Sequence, residues 1–178
     1  MDLGVISVRY ARALLKSATE LKIEDQVYKD MQTLSESYIQ VTDLRFTVEN
    51  PMLSKDIKLH LLVTALGKQP DELSKRFVSL VLKEDRESFL QFMASSFITL
   101  YRKQKNITRG KLTTAVAVSP ATETKMKQMV EEKTQGTVEF KTEVNPDIIG
   151  GFVLEYDTYR MDASAKSKLN NILVQLKK

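Results

Sequence analysis

"KLTTAVAVSP", residues 111–120, changes the period of the chain. Leu112, Thr114, Val116 and Val118 alternate with Thr113, Ala115, Ala117 and Ser119, the two-residue repeat that puts successive side chains on opposite faces of a strand. Upstream of it the apolar residues recur at spacings of three and four, as on one face of a helix. The stretch therefore separates a helical first part, residues 1–105, from a mixed second part, residues 106–178. It predicts an α+β fold: an N-terminal six-helix bundle followed by a small C-terminal α/β domain with a short mixed sheet and two helices.

Working back from this boundary, the first helix spans residues 6–21, where Arg9, Arg12, Lys16, Thr19 and Glu20 occupy an arc of only about 100°. The rest of its circumference is apolar or small. A second helix carries Val27, Met31, Leu34, Tyr38 and Val41, and Thr42 or Asp43 is expected to cap a third over 44–49, which "ENP" ends. Ser54 caps a fourth over 57–66 that Gly67 stops, and Pro70-Asp71 opens a fifth holding Leu73, Phe77, Val78, Leu80, Val81 and Leu82. Asp85 is expected to cap a long sixth, which runs out near residues 105–106.

Working forward, "NITRGK" reads as a connection between the two parts, with the first strand after it. Ser119-Pro120 opens a helix through Met126, Met129 and Val130 that stops at Gly136. Strands follow at 138–144, 148–155 and about 159–161, the last two joined by a tight connection at Asp157-Thr158. A final helix from about Ser164 is expected to bury Leu169, Ile172, Leu173 and Leu176 on one face.

Composition narrows the function. The chain has 178 residues, 42% hydrophobic and 28% charged, with no cysteine and a single histidine, His60. Thiolate metal sites, Cys–His nucleophiles and Ser–His–Asp triads are thereby all but excluded. No apolar run is long enough for a membrane span, and because the N-terminus enters helical periodicity within a few residues, no leader for export or import is expected. The net charge of +4 raises the alternative of a small basic nucleic-acid-binding protein. Its one basic concentration is Arg102, Lys103, Lys105, Arg109 and Lys111, set in the expected connection, and elsewhere the charges alternate in sign. A solvated linker accounts for it better than a phosphate track.

The candidate sites yield no catalytic, cofactor-binding or metal-binding constellation. Gly150-Gly151 lacks the spacings of phosphate-cradling loops, so close packing of a neighbouring segment is the better reading. Asp162 and Ser164 precede a helix and suit capping, His60 stands alone on an apolar helix and is expected to be a partly buried structural residue, and Glu84, Asp85 and Glu87 read as negative charge at a helix N-terminus. What remains is surplus apolar surface on the first and fifth helices. It belongs either to helices buried centrally in the bundle or to a groove that accepts a visiting amphipathic helix. In the second case Ile6, Tyr10, Ala13, Leu14 and Ser17 face Phe77, Leu80 and Val81, while Ala11, Leu15 and Ala18 turn to the bundle.

Two stretches resemble a known family. "SVRYARALL", residues 7–15, is similar to the Arg-Tyr-Ala-x-Ala-Leu opening of the delta subunits of bacterial F-type ATP synthases, counterparts of the mitochondrial oligomycin-sensitivity-conferring protein. "IIGGFVLEYDTYRMDASAKSKLNNI", residues 148–172, resembles their Gly-Gly strand, hairpin and Asp-x-Ser entry into the last helix, represented by Gly150, Gly151, Asp162, Ser164 and Leu169. The hairpin lacks a glycine frequent in the family, and Ala163 replaces another. The resemblance implies a non-catalytic adaptor of the peripheral stalk, needing no cofactor. Its helical domain would hold the N-terminal helices of the alpha subunits, and its C-terminal part, with that motif on the stalk side, would engage the b subunit. It further implies a peripheral protein at the cytoplasmic face of a bacterial membrane, attached only through the complex and binding no nucleic acid.

Overall fold

The computed structural model describes residues 3–134, 136–156 and 159–176. Among these the class is α+β, with eight α-helices and one four-stranded mixed sheet. The chain divides into two compact units, Met1–Lys103 and Gln104–Lys178.

The first unit contains α1 (Leu3–Leu21), α2 (Glu24–Gln40), α3 (Thr42–Glu49), α4 (Lys55–Ala65), α5 (Glu72–Lys83), a single 3-10 turn (Glu87–Phe89) and α6 (Leu90–Lys105), whose last residues cross into the second unit. Its core takes Ala11, Leu15 and Ala18 from α1, Val27, Met31 and Leu34 from α2, and Met93 and Phe97 from α6. The Ser54 hydroxyl accepts the Ile57 N–H at 3.4 Å, and the Asp71 carboxylate accepts the Leu73 N–H at 2.8 Å, so α4 and α5 start on side-chain caps. α5 is also fixed from α2. Buried Asp30 accepts the Asp71 N–H at 2.9 Å and the Ser74 hydroxyl at 2.6 Å, satisfying polar groups at the start of α5.

Two expected caps are not made. Thr42 and Asp43 lie inside α3, which is preceded by Val41 without a side-chain cap. Asp85 does not open α6, because the 3-10 turn comes first and Asp85 closes α5 instead. Glu84 is the C-terminal cap residue of α5, and Glu87 turns inward to buried Lys58, with 2.7 Å between Nζ and Oε1. The three acidic residues thus form a corner between helices and not an N-terminal cluster.

The second unit runs β1 (Ile107–Thr114), α7 (Pro120–Thr134), β2 (Thr137–Val144), a 3-10 turn (Pro146–Ile148), β3 (Phe152–Tyr156), β4 (Tyr159–Asp162) and α8 (Ala165–Leu176). The sheet order is β2-β1-β3-β4. β1 and β2 are parallel, as the crossover through α7 requires, while β3 is antiparallel to both β1 and β4. Leu112, Val130, Val138 and Leu154 form its small core, flanked by Val118, Met126, Phe152 and Tyr156.

The first strand lies earlier than its alternation suggests. Residues 107–114, read as linker and strand start, pair along their whole length with Thr137–Val144. After Thr114 the chain leaves the sheet: the Thr114 hydroxyl donates to the Val116 carbonyl at 2.8 Å, and the Thr114 carbonyl accepts the Asn145 N–H at 2.7 Å. Val116 is consequently exposed. β3 likewise starts only at Phe152, because Ile149 and Gly151 adopt left-handed backbone, with φ of +69° and +74°. The expected tight connection at Asp157-Thr158 lies outside the described residues.

The last helix differs most from expectation. α8 has no buried residue, and Leu169, Ile172, Leu173 and Leu176 are 50%, 52%, 53% and 78% exposed. Its sequence marks which face is apolar, but among the described residues that face is left half exposed or more.

Candidate functional site

In the first unit an open cleft of about 390 Å3 runs between α1 and α5. Arg9, Tyr10, Ala13, Leu14 and Ser17 line it from α1; Leu73, Arg76, Phe77, Leu80 and Glu84 line it from α5 and its cap. Each set follows spacings of three and four, so one ridge from each helix forms a wall and the trough lies between the ridges. Leu14 and Phe77 are buried at its base, Leu80 is 48% exposed at its rim, and Ala13 and Ser17 leave one wall low. The Tyr10 ring meets that of Phe77 edge-on, 6.5 Å between centroids and 65° between planes.

Six of the eight residues assigned to a groove from the sequence therefore meet: Tyr10, Ala13, Leu14, Ser17, Phe77 and Leu80. Ile6 does not line the cleft, and Val81 is fully buried in the core. The residues that sequence reasoning missed are Arg9, Leu73, Arg76 and Glu84. Their signal was available, since residues 73, 76, 77, 80 and 84 make one continuous ridge on a helical wheel. The charged members carry both signs around an apolar trough, which suits an amphipathic guest. Among the described residues no group of His, Cys, Asp or Glu is placed to hold a metal ion, and His60, expected to be partly buried, is instead exposed on α4.

In the second unit the Gly-Gly segment meets the entry to α8. At Gly151 a Cβ would overlap the Ala163 carbonyl oxygen, and its φ of +74° already disfavours any side chain. Gly150 differs, since a Cβ there would sit in ordinary contact with the Ala165 methyl at 3.7 Å. The Gly150 carbonyl accepts the Ala165 N–H at 2.9 Å, and the Phe152 carbonyl accepts the Ala163 N–H at 2.9 Å. Asp162 accepts the Ser164 N–H at 2.9 Å and the Ser167 hydroxyl at 2.8 Å, while the buried Ser164 hydroxyl accepts the Ser167 N–H at 3.2 Å. These are reciprocal caps on the first turn of α8. The hydrogen bonds from Ser164, then that from Ser167, hold the Asp162 carboxyl down at about 2. Leu169 stands on the exposed face beyond this anchored turn.

The basic concentration is dispersed. The Arg102 guanidinium lies 5.6 Å from the centre of the Tyr28 ring, and Arg109 and Lys111 belong to β1. Lys111 pairs with Glu143 at 2.6 Å, which raises the lysine above its ordinary value and lowers the glutamate.

The model of the family described as ATP synthase delta (OSCP) subunit matches residues 6–176. The chain belongs to that family. It is 48% identical over 177 residues to the ATP synthase subunit delta of Phocaeicola vulgatus, covering 98% of this chain and 95% of the relative. To the subunit delta of Parabacteroides distasonis it is 42% identical, with 97% and 96% covered. A chain from the cryo-EM structure of the Toxoplasma gondii mitochondrial ATP synthase hexamer shares the fold, with a TM-score of 0.65 at 22% identity and 97% of both chains covered. As a delta-family member this protein is a non-catalytic stator component of the peripheral stalk. That function replaces the nucleic-acid alternative. Among the described residues no helix is long and apolar enough to cross a membrane.

Proposed function

We propose that the first unit, an N-terminal six-helix bundle ending near residue 105, holds an N-terminal helix of the ATP synthase alpha subunit in the cleft between α1 and α5. The observation that carries this reading is the cleft itself: a ridge from each of two helices around an apolar trough, one wall lowered by Ala13 and Ser17. An incoming helix would lay its apolar ridge between Tyr10, Leu14, Phe77 and Leu80 and set its polar flanks against Arg9, Arg76 and Glu84. Residues 106–178 form the stalk-side domain and engage the C-terminal end of the b subunit through the uncovered face of α8, behind Gly150, Gly151, Asp162 and Ser164. The protein thereby links the alpha/beta head to the stalk and resists rotor torque. It sits at the cytoplasmic face of the bacterial membrane, attached only through the complex.

Apolar contact, with no chemistry, is what a static link requires. Hydrogen exchange on the full chain, with and without a peptide of the alpha N-terminus, tests the placement. Protection confined to α1 and α5 is the expected result; protection elsewhere, with these two unchanged, would refute it.

A further inference from the structure

The C-terminal corner of α5 reaches back to the cleft. The Asp85 N–H donates to the Leu82 carbonyl at 3.2 Å and the Arg86 N–H to the Val81 carbonyl at 3.0 Å, the paired bonds of a Schellman cap. Asp85 occupies the left-handed position of that cap, φ +53°, where glycine is the usual residue. Lys55 supports the turn from α4, its ammonium 2.7 Å from the Asp85 carboxylate and donating to the Lys83 carbonyl at 3.2 Å. The corner delivers Arg86 to α1. Its guanidinium donates to the Tyr10 hydroxyl at 3.0 Å and lies 5.4 Å from the ring centre. Tyr10 is thus held by Arg86 and by its edge-on contact with Phe77. Tyr10 and Phe77 line the cleft, whereas Arg86 does not.

We propose that Arg86 is a positioning residue, which locks the Tyr10 side chain so that the cleft is open and shaped before its occupant arrives. The inference rests on the reading of the cleft as a helix-binding site. Its physical basis is preorganisation: a side chain already fixed in the bound conformation loses no rotamer freedom on binding. Released from Arg86, the phenol ring is free to turn over the trough and cover Leu14 and the low wall at Ala13. The guest would then have to displace it.

The test uses the full chain. In the free protein, NMR of the labelled tyrosine ring should show one fixed Tyr10 conformation in the wild type and rotamer averaging in Arg86→Gln. A Tyr10 ring as fixed in Arg86→Gln as in the wild type would overturn the proposal, whether or not any peptide binds. Titration with the alpha N-terminal peptide should then show Arg86→Gln and Tyr10→Phe each binding about tenfold more weakly. The double variant should be no weaker than Arg86→Gln alone, because that change already removes both the hydrogen bond lost in Tyr10→Phe and the guanidinium over the ring. Arg86→Lys, which keeps a donor, should recover part of the loss. Unchanged affinity in Arg86→Gln, or full additivity in the double variant, would overturn the proposal. If Arg86→Gln does not fold, Tyr10→Phe carries the test, and unchanged affinity there has the same meaning. A folded wild type that ignores the peptide would instead refute the docking reading and leave the NMR result to judge the clasp.

Discussion

The two units bury their helices to very different extents. In the first, every helix gives side chains to the core, and Met31, Leu34, Leu62, Leu66, Leu90, Met93 and Phe97 are all but completely buried. In the second, the described core is the small cluster of Leu112, Val130, Val138 and Leu154, with Ile148 and Val153 also buried, and α8 contributes none of them. Yet the helical wheels of α6 and α8 look alike in sequence, each with an apolar stripe. The difference teaches that amphipathicity shows a helix needs a partner, but not whether that partner lies in the same chain. In the proposed function the first unit is a finished body with a trough cut in its surface, and the second presents an unfinished helix. α8 has 12 residues, a length at which an isolated helix is marginal in water. Covering the half-exposed parts of Leu169, Ile172, Leu173 and Leu176 would contribute on the order of 3–6 kcal/mol, which a bound b subunit would supply.

The contrast can be broken most forcefully in the cores. Phe97→Ala should cost the first unit about 3–5 kcal/mol, read as a lowered melting transition of the helical unit. A cost below about 1 kcal/mol would mean that this core is not closed. Gly151→Val should destabilise the second unit by about 3 kcal/mol, since it combines backbone strain with overlap on the Ala163 carbonyl. Peptide binding to the first unit should survive that substitution, and simultaneous loss of both would argue against separable units.

Smaller effects sharpen the comparison. Ile172→Gln should change stability by no more than about 0.5 kcal/mol, because the side chain is 52% exposed, but should abolish capture of the b subunit. If the variant instead melts early, α8 is covered within the chain. The smallest effect concerns pH. Asp162 is held at about 2, below its ordinary 3.8, so its hydrogen bonds stabilise the start of α8 above about pH 4 and are lost as pH falls towards 2. The Ser164 amide resonance should follow that titration, and Asp162→Asn should abolish its dependence on pH over this window. A midpoint near 4 would show that the cap is not formed in solution.

Much of this was legible along the chain, for physical reasons. The Asp71 and Ser54 caps are local, each side chain reaching an amide two or three residues ahead. The bundle-facing side of α1, with Ala11, Leu15 and Ala18, follows from the helical step alone. β1 was misplaced because alternation in residues 112–118 continues past the point where the Thr114 side chain turns the strand aside. Residues 107–111, polar on one side, acquire their strand character from pairing with β2, a partner distant in sequence. Asp85 reads as an N-terminal cap from its position before a helix, yet it sits in a left-handed C-terminal cap that Lys55 supports from another helix. Of the cleft, the apolar members other than Leu73 were legible. Its charged rim was less so: Arg76 and Glu84 share a ridge with Leu73, Phe77 and Leu80 on the helical wheel, but with Arg9 they read as ordinary solvated positions until the two ridges are placed side by side.

The central claim is that the cleft between α1 and α5 receives a helix of the alpha subunit. Its most direct test is calorimetric titration of the full chain with the alpha N-terminal peptide, comparing the wild type with Ala13→Trp and Leu80→Glu and pairing each titration with a thermal melt. Ala13→Trp fills the low wall, and Leu80→Glu puts a charge against an apolar guest. Each should weaken binding by about 30-fold or more, the scale of a central interface residue, with melting almost unchanged because both positions are exposed in the free chain. Folded variants that bind as tightly as the wild type would contradict the account.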